Sequence, residues 1–237
     1  MKRITGMAHE LIEDGKIGNR FRRRMVILGP IENMTHAMGS STKSKTEINR
    51  PKFEQLKNIY SDLCKDLSHK YPNSTIKTLS EDKINKIIKE HTDLRFDRSI
   101  WIGNQNVDFF CYAIGALHKP NRKGQPKNRQ RMMRGLVLEI DGGIHNEQTK
   151  LLKDQKKYKN LDELNIAMLS IENCDANSNP ITNLIKKLKE TPRLDSRARE
   201  RLRRKVFVYT IVCHSSDDTL SELYGYDFNT HSINGVI

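Results

Sequence analysis

Cysteine is scarce: Cys64, Cys111, Cys174 and Cys213 lie far apart in the 237 residues, with no Cys-x-x-Cys pair among them. That spacing indicates neither a zinc knuckle nor a disulfide framework, so the thiols read as reduced ones in a cytoplasmic protein. No apolar run approaches the roughly 20 residues that a membrane span needs. The opening Met1-Lys2-Arg3-Ile4-Thr5-Gly6 leads into mixed polar sequence rather than an apolar signal core, so no secretory leader is expected. There is no internal repeat. Acid is in short supply as well: 29 Asp and Glu stand against 42 Lys and Arg, a formal charge of +13. Such an imbalance favours a polyanionic partner, nucleic acid ahead of an anionic membrane surface, and no membrane partner is expected.

What is present is long enough for a sizeable core. Residues 1–50 read as irregular and basic, with Lys16, Arg20, Arg22, Arg23 and Arg24 ahead of Val26-Ile27-Leu28, and Gly39 to Ser44 as a loop or linker. Phe53, Leu56, Ile59, Tyr60, Leu63 and Leu67 predict a helix from Lys52 to Lys70. A second helix is expected from Ser80 as N-cap, with Glu81 and Asp82 in its first turn and Ile84, Ile87 and Ile88 as its apolar face. Ile100–Ile102 and Val107–Tyr112 read as strands of a hairpin, and residues 117–134 as a polar loop. Strand Leu136–Asp141 ends at Gly142-Gly143, a helix runs from Asn146 to Leu164, Ile166–Ile171 is a strand, and Pro180 opens another helix. An Arg-rich helix Arg193–Lys205, a strand Val206–Cys213 and a polar tail complete the chain. The order predicts an α/β core with a central mixed sheet flanked by helices. It divides as a basic N-terminal segment (1–75) suited to recognition or dimerisation, a core (76–191), and a C-terminal addition (192–237).

Two of these strands carry acids where the pattern otherwise buries hydrophobes. Val107-Asp108-Phe109 and Leu136-Val137-Leu138-Glu139-Ile140-Asp141 each present a carboxylate, and a buried carboxylate is costly unless paired or bound to a cation. Carboxylates converging from neighbouring strands suit a Mg²⁺ ion, which takes oxygen ligands. Asp141 shares a strand face with Glu139 by the period-two alternation. Gly142 and Gly143 remove side-chain bulk next to it, and His145 is placed to act as a base or to hold a phosphate oxygen.

Asp108 in Val-Asp-Phe, followed by Glu139-x-Asp141-Gly142-Gly143-x-His145, resembles the PD-(D/E)XK nuclease superfamily, in its branch related to very-short-patch-repair endonucleases. Ser80-Glu81-x-x-Ile84 is similar to the branch's first motif, and Asp154, Lys157, Leu161, Leu164 and Leu169–Asn173 fit its closing helix and strand. The likeness runs over residues 78–190. It implies a PD-(D/E)XK-like core with Asp108 and Glu139 as metal ligands, Glu81 as an outer or second-ion ligand, and His145 as a catalytic partner. Asp141 either binds metal or orients His145. The superfamily's lysine two residues after the second acid is replaced here by Asp141, which leaves the base open.

The resemblance implies a Mg²⁺-dependent type II restriction endonuclease acting on double-stranded DNA, with 5′-phosphate and 3′-hydroxyl ends. The segments outside the core favour restriction over repair, and a palindromic site implies a homodimer. The alternatives are a mismatch- or structure-specific repair nickase and a non-catalytic nucleic-acid-binding protein with a decayed nuclease fold. Lys119, Arg122, Lys123, Lys127, Arg129, Arg131 and Arg134, an acid-free run just before the Glu139 strand, are the first candidates for DNA contact. A second candidate surface is a helical face of Arg193, Arg197, Arg201 and Arg204.

Overall fold

The computed structural model describes residues 21–32 in part, 50–72, 79–115, 117–119, 131–141, 157, 161–172 except 163, 179–227 and 232–233. In chain order its elements are α1 (Phe53–Lys70), α2 (Leu79–His91), β1 (Asp97–Ile102), β2 (Gln105–Cys111), β3 (Leu117–Lys119), β4 (Arg131–Met133), β5 (Leu136–Asp141) and β6 (Ala167–Glu172). There follow α3 (Asn179–Glu190), α4 (Ser196–His214), α5 (Asp217–Tyr224), β7 (Tyr226–Asp227) and β8 (Ser232–Ile233). Contacts divide the chain into a unit of residues 64–206 and a unit of residues 1–63 with 207–237. The two ends, separate in sequence, thus belong to one unit, and the divides fall inside α1 and α4.

Within residues 64–206, Gly103 starts the sheet. It holds φ 60, a region that strains residues with a Cβ, and it turns β1 back onto β2 with Ile102 facing Gln105. β5 pairs antiparallel to β2, and β6 pairs parallel to β5, giving a four-stranded mixed sheet in the order β1-β2-β5-β6. Alternation sends Phe109, Cys111, Leu136 and Leu138 to one face, where they are buried with Ile84 and Ile88 of α2 and Leu188 of α3. Fully burying a side chain of this size is worth about 1.5–3 kcal/mol, so this face anchors the unit. The expected α/β class with a mixed sheet flanked by helices is the observed one.

Four local expectations are corrected. Val206–Cys213 is not a strand but the second half of α4. Its Val and Ile residues favour strand, yet every residue from Val206 to Val212 is buried, and an apolar run of this length is equally compatible with a buried helix. The helix is launched upstream by Asp195, whose carboxylate caps the Ala198 N–H at 2.7 Å. Residues 117–134 are not wholly loop, because β3 and β4 pair as an antiparallel ribbon with Lys119 opposite Arg131. The polar tail contains α5, capped by Ser216 through the Thr219 N–H and closed by Gly225 at φ 66. Ser80 lies inside the first turn of α2, which begins at Leu79.

The unit of residues 1–63 and 207–237 has its own core. Phe207 stacks on Tyr60 and Phe53 with centroids 4.3 and 5.8 Å apart, and Phe21 meets Tyr209 edge-on. The segment read as irregular is helical at residues 21, 23–25 and 27–29, and buries Arg24. Arg24 donates to Asp217 at 2.7 Å and to the Val212 carbonyl at 2.9 Å, joining this segment to α4 and α5. Among the described residues no helix is long and apolar enough to cross a membrane. The Gly39–Ser44 linker and Cys174 lie outside the described residues.

Candidate active site

β2 and β5 pair only over Phe109–Leu138, Phe110–Val137 and Cys111–Leu136. Beyond Phe109 the ladder stops, and two backbone N–H groups lose their strand partners. Side chains take over. Asp108 accepts the Ile140 N–H on its Oδ2 at 2.8 Å, while Glu139 Oε1 lies 3.4 Å from the Asp108 N–H. The carboxylates therefore meet across a fork between the two strands, on the face opposite the α2–α3 core. In β1, between Arg98 paired to Phe109 and Ile100 paired to Val107, stands Ser99 with φ 52, a strained conformation for a residue with a Cβ. Asn106, two residues before Asp108 and on the same face, has a buried side-chain amide N–H without a partner.

A cation reaches this fork from outside the sheet. Lys157, in the helical stretch that precedes β6, is ion-paired to Glu139 Oε2. Both side chains are largely shielded, at 16% and 12% relative exposure. Burial pushes the Glu139 carboxyl from its ordinary 4.5 up to about 7; Lys157 opposes the rise and Asp108 adds to it.

This has a consequence for stability. The folded-state pKa lies above the unfolded one, so Glu139's contribution is fully present below about pH 4.5 and is lost as pH rises through about 7. A shift of that size corresponds to roughly 3 kcal/mol. In metal-free buffer Glu139→Gln, which keeps an acceptor for the Asp108 N–H, should melt higher than wild type near pH 8.5, its unfolding free energy larger by up to about that amount. The gap should close near pH 4.5. A gap independent of pH in a calorimetric melting series would show that Glu139 carries no such penalty.

Comparison adds no relative. The chain matches no protein-family model, no curated protein and no solved structure.

Of the expected metal ligands, the structure brings Asp108 and Glu139 together but does not bring Glu81 to them. Glu81 is buried, and its Oε2 meets Arg98 at 3.1 Å, while Arg98 also reaches Asp82 and lies over the Phe109 ring. Phe109 belongs to the opposite sheet face, so this ion pair ties α2 to β1. Among the described residues no group of three His, Cys, Asp or Glu is arranged to hold a metal. Asp141 closes β5 in register with Glu172. The side chain of Asp141, together with Gly142, Gly143, His145 and Asp154, lies outside the described residues.

The expected DNA-contacting residues divide in the same way. Lys119 and Arg131 face each other across the ribbon and Arg134 is exposed at its exit. Arg122, Lys123, Lys127 and Arg129 lie outside the described residues. On α4, Arg197 and Arg201 are exposed, whereas Arg204 is buried at 8%. Arg204 lies on the same side of α4 as Arg197 and Arg201, but just before Val206, from where the helix is buried all round. Arg193 precedes α4, donating to the Leu188 and Thr191 carbonyls at the end of α3 and pairing with Asp93 at 2.8 Å.

Lys157 and Asn106 are the residues that sequence reasoning passed over as site members. Lys157 is one of five lysines between Lys150 and Lys159, and nothing in their spacing selects it without the position of Glu139. Asn106 had a legible signal, since it stands two residues from Asp108 on one strand. Its place beside Gly103-Asn104 made it read as part of the turn.

Proposed function

We propose that the chain is a Mg²⁺-dependent, sequence-specific double-stranded DNA endonuclease of restriction type on a PD-(D/E)XK-like core. The observation that carries this is the strand fork in which Asp108 and Glu139 meet with Lys157 beside them. Two carboxylates brought together from neighbouring strands suit a hard divalent ion, which commonly takes one or two carboxylates plus water and phosphate oxygens. Asp108 and Glu139 are the residues that would hold it. When bound, Mg²⁺ supplies charge neutralisation at the scissile phosphate and a lowered pKa for the attacking water. Lys157 brings a further positive charge next to the developing phosphate charge, in a chain whose Asp141 stands at the superfamily's lysine position. Asn106 offers an uncommitted N–H to a phosphate oxygen. In-line attack then leaves a 5′-phosphate and a 3′-hydroxyl.

The basic ribbon supports a duplex DNA partner, because cationic side chains that contact phosphates release counterions on binding. Replacing Lys119 and Arg131 together by Ala should weaken binding and flatten the slope of log affinity against log salt by about 2, near one per lost phosphate contact. A filter-binding series over salt checks this, and an unchanged slope removes the ribbon from the interface. The unit formed by the two chain ends is available for recognition or for a two-fold dimer.

A digest of long phage DNA in Mg²⁺, run beside Glu139→Ala and an EDTA control, tests the reading. Discrete fragments with wild type alone support it. A second reading, a nucleic-acid-binding protein with a decayed nuclease fold, is favoured by the structural work that both acids already do in capping the fork. Binding to DNA without cleavage in Mg²⁺ or Mn²⁺ selects it.

A further inference from the structure

Among the described residues the surface carries one exposed large apolar side chain, Tyr71 at 46%. Tyr71 follows α1 directly, its N–H still bonded to the Leu67 carbonyl at 2.8 Å, and Pro72 behind it cannot extend the helix. A single exposed ring says little alone. Its setting says more. The ring leans on Trp101, with centroids 5.8 Å apart and planes tilted by 44°, and the Lys70 ammonium stands 5.5 Å from its centroid. Trp101 is buried at 4% and pairs across the β1–β2 hairpin with Asn106. Directly opposed residues share a sheet face, so Trp101 stands on the face that carries Asp108, and Tyr71 meets the sheet there. Asn106 is two residues, about 7 Å, from Asp108 along β2.

Two observations of different kinds thus converge beside the fork. The Asn106 side-chain N–H is buried and lacks an acceptor, a cost that an incoming oxygen removes. A half-exposed ring with a cation beside it suits a nucleotide, whose base stacks and whose phosphate is neutralised. His69 and Lys70 are exposed in the last turn of α1, and the formal charge of the chain is +13, so a phosphate-bearing occupant is favoured over an apolar one. We propose that Asn106, Tyr71 and Lys70 form a subsite for the nucleotide next to the scissile phosphate, Asn106 donating to a phosphate oxygen and the Tyr71 ring stacking on the base. The place of the cut rests on the nuclease reading of the fork, whereas the nucleotide chemistry rests on these three residues. A base lying on Tyr71 has left its stack in a duplex, so a single strand presents the same group without the cost of unpairing.

The test is fluorescence anisotropy of a labelled single-stranded oligonucleotide in EDTA, where metal-dependent cutting does not intervene. Tyr71→Ala should bind about tenfold more weakly than wild type with an unchanged salt slope, and Tyr71→Phe should stay near wild type. Lys70→Ala should weaken binding and lower the slope by about one. Asn106→Leu should weaken binding severalfold. Affinity equal to wild type in Tyr71→Ala or Asn106→Leu overturns the subsite, while Mg²⁺-dependent cutting of duplex by the same variant leaves the nuclease reading standing. Binding that Tyr71→Ala weakens, in a protein that cuts nothing in Mg²⁺, keeps the subsite and removes the nuclease. If wild type binds no oligonucleotide, both fall together.

A second measurement needs no variant. An oligonucleotide carrying iodouracil, irradiated in complex with wild type, should cross-link to Tyr71, as mapped by mass spectrometry. Cross-links confined to other residues overturn the stacking.

Discussion

Asp108→Asn should abolish Mg²⁺-dependent cleavage while leaving the fold almost untouched. Asp108 has two separable jobs. One oxygen caps the Ile140 N–H at 2.8 Å, and the carboxylate charge faces Glu139 across the fork. Asn retains an acceptor for the cap and removes the charge. Losing a charged ligand to a catalytic cation forfeits several kcal/mol of transition-state stabilisation, so turnover should fall roughly a thousandfold or more. The melting midpoint should change little, because the hydrogen bond is kept. Asp108→Ala removes both functions and leaves a part-buried N–H unpaired, adding about 1–3 kcal/mol of destabilisation. The comparison separates catalysis from structure: Asp108→Asn cleaving at near wild-type rate would make the acid a strand cap and nothing more. Cleavage rates on a defined duplex, beside denaturant midpoints for both variants, decide it.

The pairing of Asp108 with Glu139 was legible because it depends only on short-range rules. Apolar strands of period two, a Gly-led hairpin and interrupting carboxylates bring the two acids to neighbouring strands without any knowledge of distant contacts. The fork itself was hidden. Where a ladder stops is decided by how three strands twist and pair together, and nothing in Val107–Phe109 or Leu138–Ile140 announces it. Lys157 was invisible as a site residue for a related reason, since a lysine on a helix surface acquires meaning only from what the helix packs against. The misread strand at Val206–Cys213 shows the opposite failure, in which β-branched residues spoke for a local preference that all-round burial overrode. Arg204 belongs with it, because an Arg-rich stretch suggests a solvated face, and the burial of α4 on all sides from Val206 is a tertiary property.

Gly115→Ala should be among the most destabilising single-methyl changes in the unit of residues 64–206. Gly115 donates to the Pro192 carbonyl at 2.6 Å, Leu194 donates to the Ala113 carbonyl at 2.9 Å, and Ile114 bridges Arg193. The backbone of residues 113–115 is thus clamped along the segment that connects α3 to α4. A Cβ at Gly115 would collide with the Pro192 carbonyl oxygen and come within 2.9 Å of its carbon, and backbone cannot swing aside as a side-chain end can. Either the two segments part and lose the hydrogen bond, or the clash remains, and overpacking plus a lost bond costs about 2–4 kcal/mol. Gly135→Ala offers a calibrated comparison on the other side of the clamp, where Gly135 donates to the Ile114 carbonyl at 3.0 Å. Its φ of 78 costs about 1–2 kcal/mol for a residue with a Cβ. The nearest obstacle there is the Leu202 side-chain end at 2.8 Å, which can move. At Gly29 a Cβ meets nothing within 4 Å, so Gly29→Ala should hold or slightly raise stability. Because β3 leaves and β4 returns at residues 117 and 133, next to this clamp, Gly115→Ala should also weaken DNA binding at temperatures where the protein remains folded. Urea unfolding of the three variants orders the costs, and a Gly115→Ala midpoint equal to that of Gly29→Ala would show that the clamp does not hold the root of the ribbon.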